Sequence, residues 1–329
     1  MTAQTPAKGC VTCHEGAKMV LFITGICRRS CWYCPLSIGR KGRDTIFANE
    51  TPVNSPGEAL SIARMMDALG TGVTGGEPFL VLERVILFCR ELKSAFGPGH
   101  HIHLYTGEAP GRDQLSLLTG LVDEIRIHPP PDTWADIRDS PYAESVAIAR
   151  EMGFSAGFEV PSLPGIEALA PVLPLLDFLN INELEWGESN ADAMREKGLE
   201  LSDGVHNAVK GAWEWARPLI HHPKVHFCSS RFKDSVQLRK RLIRIARNTA
   251  RPFDHVTDDG TIVYGLIQNG GILPAVVQTL DEGSYEVRDG AIETFWWVVS
   301  EFAGEIAGEK SIIERYPNRG IIVEVTPVP

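Results

Sequence analysis

The chain has 329 residues, 43% of them apolar, and a formal net charge of −10 at pH 7. That is enough apolar chain for one large domain or for a barrel with a small appendage, and the acidic balance argues against a globally basic nucleic-acid binder. The seven cysteines do not read as a disulfide framework, no apolar signal region follows Met1-Thr2-Ala3-Gln4-Thr5, and no apolar run is long enough to span a bilayer, which together predict a cytoplasmic protein without a membrane partner.

Residues 1–17 carry Cys10 and Cys13 and read as an N-terminal extension. Met19-Val20-Leu21-Phe22-Ile23-Thr24 is a short apolar run rich in β-formers, a buried strand. Ser55-Pro56-Gly57-Glu58 places an N-cap, a first-turn proline and an acidic N3 residue at the start of a helix reaching Gly70. A strand over 71–76 and a helix over 78–96, stopped by Gly97-Pro98-Gly99, come next. The alternation continues with strands at 101–106, 124–128, 155–160, 183–187 and 225–228. Helices are expected at 114–121, 142–152 and 166–179, with two more before Ile220. Six or seven short apolar strands alternating with helices predict a parallel β/α architecture, a partial (βα)6-7 barrel over 18–230. Its functional face lies at the strand C-termini.

Beyond residue 230 the character changes. A basic helix over 233–250, a hairpin around Asp258-Asp259-Gly260, an amphipathic helix over 293–306 and a closing strand over 321–325 predict a small α+β appendage at 231–329. From Arg231 to Arg251 eight cations face one anion, so this stretch carries +7 and the remainder −17. Lys240, Arg244, Arg247 and Arg251 share one helix face, which reads either as a solvated face balancing an acidic barrel or as a phosphate-binding stripe for RNA or a phosphorylated substrate.

The strongest signal is Gly25-Ile26-Cys27-Arg28-Arg29-Ser30-Cys31-Trp32-Tyr33-Cys34-Pro35. Three thiolates so close on one loop can hold three irons of a [4Fe–4S] cluster and leave the fourth open. A structural zinc site wants four tightly held ligands, usually in C-x2-C pairs, and a crowded trio suits it poorly. This C-x3-C-x2-C spacing, with Tyr33 before its third cysteine, resembles the cluster motif of the radical S-adenosylmethionine (radical SAM) superfamily. Thr74-Gly75-Gly76-Glu77-Pro78 resembles the second motif of that superfamily. In texture the barrel region is closest to archaeal radical SAM proteins related to pyruvate formate-lyase activating enzyme.

The resemblance implies a [4Fe–4S] cluster on Cys27, Cys31 and Cys34 and S-adenosylmethionine bound at Gly75, Gly76 and Glu77. It also implies an electron donor of flavodoxin or ferredoxin type, and reductive cleavage to a 5′-deoxyadenosyl radical that abstracts hydrogen. The glycines lack side chains, so backbone can approach the ligand closely. Glu77 can accept from the methionyl ammonium, and Tyr33 can pack near adenine. Further adenosine contacts are expected from later strand ends: Arg126 or His128, Glu159, and Glu185 or Trp186. The substrate reading is RNA or a phosphate-bearing molecule. The alternatives are a protein-activating enzyme and a scaffold without turnover, the last disfavoured by the intact Gly75-Gly76-Glu77.

Cys10, Cys13 and His14 form C-x-x-C-H, for which haem attachment is discounted, leaving zinc or a second iron–sulfur site. Cys228 is the leading further ligand. Chain order argues against it, because Cys13 precedes the first strand and Cys228 ends the seventh, at opposite ends of a barrel.

Overall fold

The apolar run after Ala17 becomes strand β1 (Lys18–Phe22), buried at Met19, Leu21 and Phe22. It starts a sheet whose later strands each return on the same side, as the alternating pattern requires. The computed structural model describes residues 6–268 and 275–329. The chain divides into two compact units, one comprising Ala68–Gln237 and the chain up to Arg64, the other Leu238–Pro329 with Met65–Asp67.

In the first unit β1 is followed by two short strands, β2 (Phe47–Ala48) and β3 (Thr51–Pro52), then by β4 (Gly70–Thr74), β5 (His101–Thr106), β6 (Glu124–Ile127), β7 (Ser155–Pro161), β8 (Leu179–Asn182) and β9 (Val225–Cys228). Their order in the sheet is β3-β2-β1-β4-β5-β6-β7-β8-β9. β1 and β4 to β9 run parallel, and β2 and β3 extend one edge antiparallel. The ends of the sheet do not pair, so the (βα) barrel is partial. Outward strand residues such as Leu104, Ile125 and Phe158 are fully buried beneath the helices, as in any parallel sheet covered on its outer face.

Helices α1 (Lys8–His14), α2 (Pro56–Met65), α3 (Leu82–Phe96), α4 (Arg112–Ser116), α5 (Pro141–Glu151), α6 (Ala191–Glu196) and α7 (Ala212–Ala216) intervene, and α8 (Ser230–Phe232) with the π-helical turns Lys233–Leu238 follows β9. Ser55 caps α2 as expected, its Oγ accepting from the Glu58 amide at 3.3 Å. Cys89 is buried in α3 among Val85, Phe88 and Leu92, an ordinary core thiol whose pKa burial pushes up to about 12.

The expectations over 166–187 are corrected. The 166–179 helix is instead a 3-10 helix, Ile166–Leu175, because Pro171 and Pro174 cannot sustain α hydrogen bonding. With the helix shortened, the next strand begins at Leu179, and 183–187 forms the loop after β8 rather than the strand itself. The N-terminal segment carries a helix, α1, which packs against β1, β4 and β5.

The second unit opens with α9 (Arg239–Thr249) and is built on an antiparallel sheet. Its strands are β10 (His255–Val256), β11 (Ile262–Gln268), β12 (Tyr285–Arg288), β13 (Ala291–Thr294), β14 (Glu309–Arg315) and β15 (Ile322–Val328). The order is β12-β13-β11-β14-β15, with β10 also on β11. The hairpin around Asp258-Asp259-Gly260 is present between β10 and β11. The helix expected over 293–306 is shorter, α11 (Trp296–Glu301), because 291–294 is a strand; α10 (Ala275–Gln278) precedes β12. Val298 and Val299 of α11 pack with Ile267, Ile292 and Ile306.

Gly157 lies on the inner face of β7, where a Cβ would fall on the Phe178 carbonyl oxygen and ring. Gly157→Ala should therefore separate β7 from the chain entering β8 and destabilise the protein by about 1–3 kcal/mol. A chemical denaturation midpoint equal to the wild type would contradict this packing.

Candidate active site

The loop between β1 and β2 carries Cys27, Cys31 and Cys34, and it is fastened to the end of β4 by backbone alone. The Ile23 amide donates to the Thr74 carbonyl at 2.8 Å, the Gly76 amide to Thr24 at 2.7 Å and the Glu77 amide to Ile26 at 2.8 Å. A Cβ on Gly75 would fall on the Thr24 carbonyl, and one on Gly76 on the Ile26 carbonyl. The two glycines are needed for the approach of the cysteine loop itself, a closer partner than the ligand expected from the sequence. The neck of the loop closes where Gly25 donates to Arg43 and Gly42 to Gly25, both at 2.8 Å. Asp44 braces it, accepting from Thr24 Oγ1 and bidentately from Arg84, whose hydrogen bonds hold the Asp44 carboxyl down at about 2.

Glu77 is buried, with Oε1 accepting from the Phe79 amide (3.0 Å) and Thr106 Oγ1 (2.8 Å) and Oε2 from the Gly107 amide (2.7 Å). It thereby ties β4 to the end of β5. Burial pushes its carboxyl up, against these three hydrogen bonds. Arg29, not singled out by the sequence, stitches the far side of the cysteine loop to the sheet: it donates to the carbonyls of His128 and Gly107 and to the Tyr142 hydroxyl. Its position inside the cysteine motif was the available signal.

A cavity of about 590 Å³ opens behind this loop. Cys27, Cys31, Cys34, Tyr33, Gly75, Gly76, Glu77, Arg126, His128 and Glu159 all line it. The Tyr33 hydroxyl lies 2.9 Å from His128 Nε2, and His128 Nδ1 lies 2.9 Å from the Glu159 carbonyl. That carbonyl can only accept, so Nδ1 carries the proton and Nε2 accepts from Tyr33. Burial, together with Arg29, keeps His128 neutral.

Arg126 is the charge centre of the lumen. It donates to Glu124 and Glu159, both at 2.6 Å, and to the Tyr105 hydroxyl at 3.2 Å. Glu159 also accepts from Asn180 (3.1 Å) and Asn182 (2.8 Å). Burial would raise the Glu159 carboxyl, but Arg126 and Asn182 outweigh it and hold it below the usual range. Removing one member of such a buried network strands the other charges at a cost of roughly 3–5 kcal/mol.

Of the remaining candidates, Glu185 lines the cavity but is paired with Lys233 at 2.7 Å. Trp186 is absent from the lining among the described residues, and its ring faces Arg195. Cys10 and Cys13 are not at the far end of the barrel from Cys228, as chain order suggested. Helix α1 enters the lumen, its Gly9 amide 3.4 Å from Glu124, and Cys10, Cys13 and Cys228 line the same cavity. No three His, Cys, Asp or Glu side chains among the described residues converge as ligands of a single metal ion. No helix among them is long and apolar enough to cross a membrane.

Residues 260–328 match a family described as a domain of unknown function (DUF8061). Across 296 residues the chain is 36% identical to the protein named "Putative glycyl-radical enzyme activating enzyme MJ0021" of Methanocaldococcus jannaschii, covering 85% of this chain and 78% of that one. Solved structures of SuiB from Streptococcus suis, alone, bound to S-adenosylmethionine and bound to its precursor peptide SuiA, are 13–14% identical, with TM-scores of 0.39–0.40. They match 65% of this chain, which spans only about half of theirs (48–50%). The identity and coverage shared with the archaeal relative place this chain in its family, and it is a radical SAM enzyme.

Proposed function

We propose that Cys27, Cys31 and Cys34 hold the [4Fe–4S] cluster implied by the family, that the loop over 75–77 receives S-adenosylmethionine, and that the substrate is a protein. The observation that carries this reading is the backbone docking of the cysteine loop onto Gly75–Glu77 at the mouth of one cavity. The donor set fits the cluster. Three thiols from one loop face the cavity without converging on a single-ion position, as expected when each binds a different iron. The Arg29 amide donates to Cys27 Sγ at 3.3 Å, which opposes the upward push of burial on that thiol and eases the deprotonation that ligation requires.

When bound, the cluster supplies the electron that cleaves the sulfonium C–S bond of S-adenosylmethionine, giving methionine and the 5′-deoxyadenosyl radical that abstracts hydrogen. An electron donor of flavodoxin or ferredoxin type would replenish it. The chain's own part is positional. Glu77 spends three of its roughly four lone-pair directions on Phe79, Thr106 and Gly107 and keeps one for the ligand's ammonium. Tyr33 and His128 line the cavity, and Arg29 ties the loop to the sheet.

A protein substrate is supported by the relative's name as an activating enzyme for glycyl-radical enzymes. The phosphate stripe on α9 draws less support. Of its four cations, Arg244 is paired with Asp67 and Arg251 with Asp254, Glu286 and Glu293. These two cations neutralise the chain's own carboxylates.

Anaerobic reconstitution, dithionite reduction and chromatography of the products test the reaction. Wild type should form 5′-deoxyadenosine, and Cys31→Ser should lose both the cluster's visible absorption and this product. Full turnover by Cys31→Ser would overturn the assignment. Substrate class is read from deuterium. With a proteome labelled at the glycine α-carbon, 5′-deoxyadenosine should gain deuterium from the protein fraction; transfer only from a labelled RNA fraction would favour the nucleic-acid reading.

Glu77→Gln supplies a second test. Its amide would set two donors against each other at Gly107, leaving a buried group unsatisfied at a cost of about 1–3 kcal/mol. The metal-free chain should melt at lower temperature, and S-adenosylmethionine should bind more weakly. Unchanged values for both would show that Glu77 holds neither the loop nor the ligand.

A further inference from the structure

The C-x-x-C-H motif has no part in the chemistry above, yet its helix is placed inside the barrel. Cys10 and Cys13, one helical turn apart on α1, both line the cavity, as do Cys228 at the end of β9 and the neighbouring His226. His14 packs its ring on His226 with centroids 5.2 Å apart. All three cysteines are free thiols.

Thiols used for packing lie among apolar side chains, as Cys89 does in α3. Cys10 packs in part against Ala7 and Phe178, but all three thiols also border the polar lumen and its cations. Cys10 Sγ lies 3.5 Å from Arg126 Nη2. Cys13 is an electrostatic neighbour of Lys18, and Cys228 of Lys233. Cys228 also senses Cys13 and Cys10 across the lumen. Arg126 and Lys233 have carboxylate partners, but the Lys18 ammonium has no hydrogen-bond partner among the described residues although it projects into the cavity. Glu159 answers part of the Lys18 charge across the lumen, and further negative charge there would be favoured. Three thiolates would supply that charge, and three cations would offset theirs.

We infer that Cys10, Cys13 and Cys228 hold a second thiolate-bound metal centre in the lumen, charge-compensated by Lys18, Arg126 and Lys233, with His226 placed as a further donor. Because the thiols do not converge at single-ion distances, an iron–sulfur cluster fits the spacing better than one tetrahedral zinc. This inference does not depend on the reading of Cys27, Cys31 and Cys34.

The test uses the full chain, purified and reconstituted anaerobically with iron, sulfide and zinc, and assayed for bound metal and acid-labile sulfide. The Cys27→Ala/Cys31→Ala/Cys34→Ala chain should keep bound metal, and adding Cys10→Ser/Cys13→Ser should remove it. Iron with sulfide identifies a cluster, and zinc without sulfide a zinc site; either supports the centre. A metal-free triple variant would overturn it, as would a Cys10→Ser/Cys13→Ser or Cys228→Ser chain binding as much metal as wild type. Should the α1 variants fail to fold, alkylation of wild type mapped by mass spectrometry answers the same question. Loaded protein should shield Cys10, Cys13 and Cys228, and chelation should expose them. Equal labelling before and after chelation would overturn the inference.

Discussion

The site depends on a contact between two stretches of backbone with nothing between them. Thr24 and Ile26 present carbonyls to the amides of Gly76 and Glu77, and the space that side chains at 75 and 76 would fill is taken by those carbonyls. Peptide-to-peptide hydrogen bonds at 2.7–2.8 Å give the cysteine loop a fixed seat without relying on rotamers. Arg29, Asp44 and Arg84 then hold the parts of the loop that this seat does not reach. A loop of some twenty residues presents three thiols only if its ends and middle are both tied, because an untied loop would lose backbone entropy on every ligation event.

Below the seat, the lumen is unusually polar for a barrel interior. Arg126, Glu124 and Glu159 lie where many barrels place branched apolar side chains. Buried ion pairs are weak contributors to stability compared with an apolar replacement. Their presence here is better accounted for by what they leave room for: a cavity of about 590 Å³ with a polar wall.

Much of this was legible in the chain. The cysteine spacing, the Gly75-Gly76-Glu77 turn and the strand–helix rhythm each follow from local sequence. Seven parallel strands appear where six or seven were expected. What failed did so for identifiable reasons. Helix α1 spans seven residues, too short to show a period, and its burial comes from the lumen rather than from its own pattern. Strand β8 was displaced because Leu179–Asn182 was absorbed into an apolar run that Pro171 and Pro174 in fact break. With that displacement Trp186 moved from an assumed strand end to a loop facing Arg195. The reason for the two glycines was also hidden, since a close approach of distant backbone leaves no mark on the residues beside it.

The Tyr33–His128–Glu159 chain has a chemical consequence. Since the Glu159 carbonyl fixes the proton on His128 Nδ1, the Tyr33 hydroxyl has a committed acceptor and its proton is already engaged. Tyr33 thus meets any nucleobase as a flat π surface rather than as a donor, and purine selection at that wall falls to stacking and shape.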